Sequence, residues 1–260
     1  GPELGLIAAA AKRHQVFVSI GFSEKNPLSA GSVWNSNLLI SDEGKILNHH
    51  RKIVPTFYEK LVWAPGDGAG LQVSDTRLGK IGALICGENT NPLARYSLMA
   101  QGEQIHISTY PATWPTRKPS STGNYDNLAA NRIRAAAHCF EAKVFGVVCA
   151  GFMDQAMRDF FIQRDAQIAE IIDACQQAAS FFVDPTGAVI GTTLHKEEGI
   201  AYAELDLRAC VEPKQFHDVV GYYNRFDIFD LRVTRERTKV ITWEGEASPQ
   251  WPNLLEDEAP

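Results

Sequence analysis

Residues 80–109, KIGALICGENTNPLARYSLMAQGEQIHIST, decide how the rest of the chain is read. Residues 81–86 form an apolar run of strand length that stops at Gly87, residues 93–101 read as a short helix, and residues 105–109 are a second buried strand. Strand, helix and strand in immediate succession are the repeating unit of an α/β architecture with buried strands.

The same alternation continues outward in both directions. Residues 4–15 place Leu4, Ile7, Ala8 and Ala11 on one helical stripe, with Lys12 and Arg13 near the C-terminal end, where cations suit the helix dipole. Residues 16–23 follow as a strand. Residues 33–40 and 45–50 flank Ser41-Asp42-Glu43-Gly44, a hairpin turn with glycine where positive φ is needed. Residues 71–74 read as a further strand. Downstream, residues 124–143 form the best helix of the chain and residues 144–152 a continuous apolar strand. A helix over residues 165–177 is predicted next, then a hairpin of residues 181–183 and 189–191 around Asp184-Pro185-Thr186-Gly187. Residues 200–207 are expected to close the sheet. No repeat interrupts this pattern, so one domain over residues 1–241 is expected, with residues 242–260 as an acidic, proline-containing tail.

Composition excludes several classes. Hydrophobic residues at 45% and charged residues at 22% are globular values. Thirty-one acids against 25 bases give a net charge of −6, and no basic run occurs, which argues against nucleic acid or an anionic membrane as partner. The longest apolar stretches, residues 7–11 and 144–150, are too short to span a bilayer. Five cysteines with no C-x-x-C pair resemble neither a disulfide framework nor a zinc ribbon, and a reducing cytoplasm is the expected location.

Familiar catalytic signatures are missing: there is no G-x-S-x-G elbow, H-E-x-x-H or Walker loop. The glycines of Gly66-Asp67-Gly68-Ala69-Gly70 precede a strand and read as a turn. His49 and His50 are strand neighbours whose side chains face opposite ways, and His106 and His138 read as packed or hydrogen-bonded side chains. No metal or cofactor is expected. Cys86 stands where a strand gives way to a helix, close to amide N–H groups that lower a thiol pKa and can hold an oxyanion. Position alone leaves two readings open: a small buried hydrophobe, or a nucleophile. Upstream, Lys52 closes a strand and Glu59 lies in the loop beyond it. They are either a surface pair, or a cation and a carboxylate brought up to a thiol.

Several separated motifs then point one way. His50-Arg51-Lys52-Ile53-Val54-Pro55-Thr56, with Glu59, Trp63 and Gly66-Asp67-Gly68, resembles the lysine region of the nitrilase superfamily of carbon–nitrogen hydrolases, in its nitrilase and cyanide hydratase branch. Gly82-Ala83-Leu84-Ile85-Cys86-Gly87-Glu88-Asn89 resembles that family's nucleophile segment. Ala100-Gln101-Gly102-Glu103-Gln104-Ile105-His106, Phe140-Glu141-Ala142 and Asp218-Val219-Val220-Gly221-Tyr222-Tyr223-Asn224-Arg225 match further on, in the family's order. The resemblance implies a four-layer αββα sandwich and assembly into dimers and often spirals. It implies Cys86 as nucleophile, Lys52 as electrostatic partner and Glu59 as a second carboxylate. The substrate would be a small nitrile, or an amide or cyanide in sister enzymes, with Tyr110, Trp114 and Asn89 near it; Trp114 reads equally as a pocket wall or as loop packing.

Two departures qualify the likeness. Residue 87 is glycine where this branch commonly carries tryptophan. The general-base glutamate of the family pattern, on an earlier strand, has no counterpart here: Glu3 opens a helix and Glu24 comes one strand too late. The chain therefore reads as lacking the first β-α-β segment of the family fold, either as a fragment or by loss of the base, and is expected to be nearly inactive and prone to associate; a non-catalytic, oligomer-forming homologue is the alternative reading.

Overall fold

The computed structural model describes residues 1–112, 125–175, 177–239 and 241. Helix α1 (Pro2–His14) begins with proline in its first turn and Glu3 at its positive end; it finishes with Lys12, Arg13 and His14, and Gln15 closes it in the left-handed region. Its stripe of Leu4, Ile7, Ala8 and Ala11 packs on Leu38 and Ile40 of an antiparallel sheet, β1 (Val18–Lys25), β2 (Val33–Ile40) and β3 (Ile46–Arg51). The β2–β3 turn passes close beneath this helix. Gly44 has φ +80°, and a Cβ there would stand 2.8 Å from the Ala8 carbonyl oxygen, so the turn admits no side chain.

The second sheet has six strands in sequential order: β4 (Ser74–Thr76), β5 (Gly79–Ile85), β6 (Ile105–Tyr110), β7 (Phe145–Ala150), β8 (Ser180–Val183) and β9 (Val189–Leu194). Its centre, β5-β6-β7, is parallel and its flanks are antiparallel. The crossovers are α2 (Pro92–Met99) and α3 (Asn127–Ala142). Ala135, Cys139 and Ala142 of α3 lie against Val148, Phe181 and Val183, and Ala94 and Leu98 of α2 lie against Leu84. Strands β2 and β5 face each other between the sheets. The layers thus run helix, sheet, sheet, helix, as expected.

Three expectations are corrected. Residues 200–207 do not form a strand: side chains alternate between half-buried and exposed from Ala201 to Leu207, but a bond from Thr192 N–H to the Tyr202 carbonyl (3.1 Å) is no ladder. Alternation records a half-buried extended chain, and a strand needs a partner's backbone as well. The helical region expected at residues 165–177 is split, because α4 (Gln155–Arg164) starts at the Asp154 cap and stops at Asp165, which caps a new turn leading into α5 (Ala169–Asp173). The strand expected at residues 71–74 is only begun at Ser74. The last helix, α6 (Lys214–His217), is a single turn. Residues 242–260 lie outside the described residues, and among those described no helix is long and apolar enough to cross a membrane.

Candidate active site

Strand β5 ends at Ile85, and Cys86 opens a 3-10 turn, Cys86–Thr90, with φ +53°. A non-glycine residue in this region costs roughly 1–3 kcal/mol and persists only where its surroundings over-determine it. Here they do. The buried Glu88 folds back so that Oε2 accepts from Ile85 N–H (2.8 Å) and faces His50 Nε2 (2.8 Å), while Oε1 accepts from Ile53 N–H. One carboxylate thereby ties the Cys86 turn to the end of β3. Asn89, also buried, donates from Nδ2 to the Cys86 carbonyl (3.0 Å). Asn91 then caps α2 through Leu93 N–H (3.0 Å), which sends the chain away from the site.

Lys52 follows β3 directly. Its N–H donates to the Asn35 carbonyl (2.8 Å) and its carbonyl accepts from Gly66 N–H (2.8 Å), so both sides of its backbone are held. The residue is 1% exposed, and Nζ donates to Glu59 Oε2. Glu59 sits on the 3-10 turn Phe57–Leu61 and also accepts from Thr56 N–H (2.6 Å), a capping-box contact that fixes the carboxylate over the ammonium. Removing Glu59 would leave the ammonium an uncompensated buried charge, whereas Glu59 without Lys52 keeps some contact with solvent.

These groups converge on the thiol. Burial pushes the Cys86 thiol up, the Lys52 ammonium pulls it down, the Glu59 carboxylate pushes it up, and a hydrogen bond from Gly87 N–H pulls it down; the net direction is upward. At neutral pH the sulfur is thus a thiol beside a cation and an amide, and ionising it takes a proton acceptor. Glu59 is the carboxylate named in that balance. Among the described residues the buried Tyr110 hydroxyl has no hydrogen bond of ordinary length; it faces Arg134 and Cys86, and burial holds its proton on more tightly than usual. Arg134 is itself fixed by Thr90 Oγ1 (2.8 Å), Asn131 Oδ1 (3.0 Å) and the Tyr125 hydroxyl (2.7 Å).

The structure therefore brings Cys86, Lys52, Glu59 and Tyr110 together. Asn89, expected among the substrate contacts, has its amide spent inside the protein: Nδ2 on backbone carbonyls, Oδ1 on His106 Nε2 (2.8 Å) and Ser108 Oγ (3.1 Å). Those contacts turn the Asn89 amide inward, beneath the Cys86 turn. Trp114 lies outside the described residues. Glu3 is exposed on α1, and Glu24 is taken up by Ser36, His49 and Arg51, which outweigh burial and hold it far below the usual carboxylate range. His49 and His50 do face opposite ways, toward Glu24 and Glu88. Gly68–Gly70 is a 3-10 turn capped by Asp67.

Sequence reasoning missed Glu88, Glu103 and Arg134. The available signal was a glutamate two places after the cysteine and another three places before His106. Glu103, His106 and His138 carry metal-type donor atoms within 4.8 Å of one another, but all three are buried and hydrogen-bonded among themselves.

A family model described as carbon–nitrogen hydrolase matches residues 1–215. Among curated relatives, a nitrilase of Penicillium rubens is 34% identical over 94% of this chain and 74% of its own. A protein named nitrilase 3 from an unknown prokaryote is 33% identical over 91% and 68%, and a cyanide hydratase of Gibberella baccata is 31% identical over 95% and 68%. The carbon-nitrogen hydrolase of Helicobacter pylori G27 superposes with a TM-score of 0.68 at 21% identity, over 87% of this chain and 74% of that one. Saccharomyces cerevisiae Nit3, a member of the nitrilase superfamily, gives 0.64 at 18% identity over 86% and 71%. Sequence and fold agree: this chain belongs to the carbon–nitrogen hydrolase family, the nitrilase superfamily, and is a C–N hydrolase.

Proposed function

We propose that the chain is a nitrilase-type thiol hydrolase that converts a small nitrile to a carboxylic acid and ammonia. The observation that carries this reading is the Cys86 thiol at the positive-φ end of β5, electrostatically coupled to Lys52 and Glu59.

The chemistry follows from that arrangement. A carboxylate takes the thiol proton and sulfur bonds to the nitrile carbon; the nitrogen picks up a proton, giving a thioimidate. Water adds to the C=N carbon, and the C–N bond breaks to release ammonia and leave a thioester. A second water cleaves the C–S bond, giving acid and free thiol. The Lys52 ammonium offsets negative charge as it develops on nitrogen and oxygen. Glu59 holds Lys52 and is the carboxylate within electrostatic reach for proton transfer. The Tyr110 hydroxyl, which faces Cys86 and Arg134, is a donor for substrate.

The cyanide hydratase relative supports a second reading within the same scheme: the tetrahedral intermediate breaks its C–S bond first and yields an amide. The test is to incubate the purified chain with aliphatic and aromatic nitriles, then measure ammonia, acid and amide and map covalent mass on Cys86. Adducts on Cys86, with ammonia lost in Cys86→Ala, are expected. Undiminished ammonia from Cys86→Ala would overturn the reading, and amide as the sole product would move it to hydration.

A further inference from the structure

The nucleophile turn rests on a polar chain that the chemistry above does not use. Hydrogen-bond accounting fixes its protons. Asn89 Nδ2 faces two carbonyls, Cys86 (3.0 Å) and Leu84 (3.4 Å), so that end of the amide is the NH₂ group. Oδ1 must then face His106, and His106 Nε2 (2.8 Å) can only donate to it. His106 Nδ1 lies 2.8 Å from Glu103 Oε1. Burial raises the Glu103 carboxyl, but His106 and His138 outweigh it and hold it at about 2, so it is ionised and only accepts. Both ring nitrogens of His106 therefore donate.

His138 completes the group. Its Nε2 lies 2.6 Å from Glu103 Oε2, its Nδ1 has no partner among the described residues, and its ring stacks on His106 at 3.7 Å between centroids. Burial and the charge on His106 push it down to about 4 against the pull of Glu103, so it is neutral. Arg95 adds a further repulsion to His138, and the Cys139 thiol beside the group is kept neutral by burial and by Glu103. The cluster sums to one anion, one cation and one neutral ring, all sealed from solvent.

We infer that Glu103 and His106 form a buried ion pair whose second imidazolium N–H orients Asn89, and that Asn89 in turn holds the Cys86 carbonyl and the left-handed nucleophile turn. Glu103, His106 and Asn89 are thus positioning residues; the inference rests on reading Cys86 as the nucleophile. Two observations favour this over mere packing. A buried ion pair is seldom more stabilising than apolar residues of the same volume, so its presence calls for a use beyond stability. And β5 is shaped to admit it: a Cβ on Gly82 would stand 2.0 Å from Glu103 Oε1, so the carboxylate occupies the space of a missing side chain on the strand that carries Cys86.

The test needs no substrate. Long-range proton–nitrogen spectra of the ¹⁵N-labelled chain at pH 7.5 should show one imidazole with both nitrogens protonated, assigned to His106 by its loss in His106→Gln, and a neutral His138. In Asn89→Leu, alkylation of Cys86 by iodoacetamide should slow roughly tenfold, the order expected for losing a hydrogen bond in a buried site, while exposed Cys149 keeps its rate. A singly protonated His106, or Cys86 alkylated in Asn89→Leu at the wild-type rate or faster, would overturn the inference. Should Asn89→Leu fail to fold, the wild-type spectrum decides alone. Nitrile turnover by Cys86→Ala would sink the nucleophile reading and leave these measurements unchanged, so the two failures are told apart.

Discussion

On one side of the Cys86 thiol, residues 53–62 carry Lys52's partner Glu59 but turn Val54, Phe57, Tyr58, Leu61 and Val62 outward, with Leu61 82% exposed. On the other side, the turn Cys86–Thr90 and strand β6 bury Glu88, Asn89, His106 and Ser108, and each has protein partners. The usual placement is inverted: apolar groups face out beside the lysine and polar groups face in beneath the cysteine. The difference teaches where precision is stored. The cysteine wall is held by hydrogen bonds that cannot be exchanged for water, so its geometry is rigid. The lysine wall is held by the buried Lys52–Glu59 pair and by backbone hydrogen bonds, and its outer face contributes little to the fold.

That contrast can be broken most severely at Glu88. Glu88→Ala leaves two backbone N–H groups and His50 without their carboxylate, and should cost on the order of 3–5 kcal/mol, read as a drop in the denaturation midpoint. On the other wall, Lys52→Met should lower kcat by on the order of 10², about 2.7 kcal/mol, with a smaller loss of stability. If the stability loss of Lys52→Met matched that of Glu88→Ala, the two walls would not differ as described.

Acid should act on the cysteine wall first. A histidine held at about 4 instead of 6.5 takes up its proton in the unfolded chain before it does so in the fold. The unfolded state therefore binds more protons in that window, and stability falls as pH drops from about 6.5 to 4, by on the order of 3 kcal/mol in the limit. Glu103, held at about 2 against 4.5, extends the loss below pH 4.5, because the unfolded carboxylate protonates first. A melting temperature flat from pH 7 to 4.5 would contradict this.

Charge at the thiol sharpens the comparison further. Glu59 raises the Cys86 thiol and Lys52 lowers it, so Glu59→Gln should shift the pH profile of Cys86 alkylation to lower pH and Lys52→Met to higher pH. Equal shifts in one direction would mean that neither charge reaches the sulfur. Least affected of all, Leu61→Ser should change monomer stability by no more than about 0.5 kcal/mol.

Much of this was legible in the chain. Elements whose signal is local, such as the stripe of α1, the apolar run of β5 and the Ser41–Gly44 turn, lie within a residue or two of where their periodicity puts them. Helix α4 was missed because its sequence, QAMRDFFIQR, gives only a weak apolar stripe, and the Asp154 cap that starts it is one acid among several.

The sequence by itself determined the α/β alternation, the short turn that presents Cys86, and the family motifs around Lys52, Glu59 and Cys86, because each depends on residues close together along the chain. Only the tertiary structure decided that Glu88 ties the Cys86 turn to the end of β3, that Asn89 faces inward, and that Ile200 and its neighbours form no strand. Those outcomes depend on partners far away in sequence: His50 lies 38 positions from Glu88, His106 17 from Asn89, and His138 35 from Glu103. A polar side chain has the same local pattern whether it meets water, substrate or a buried partner, and burial decides which of the three it meets.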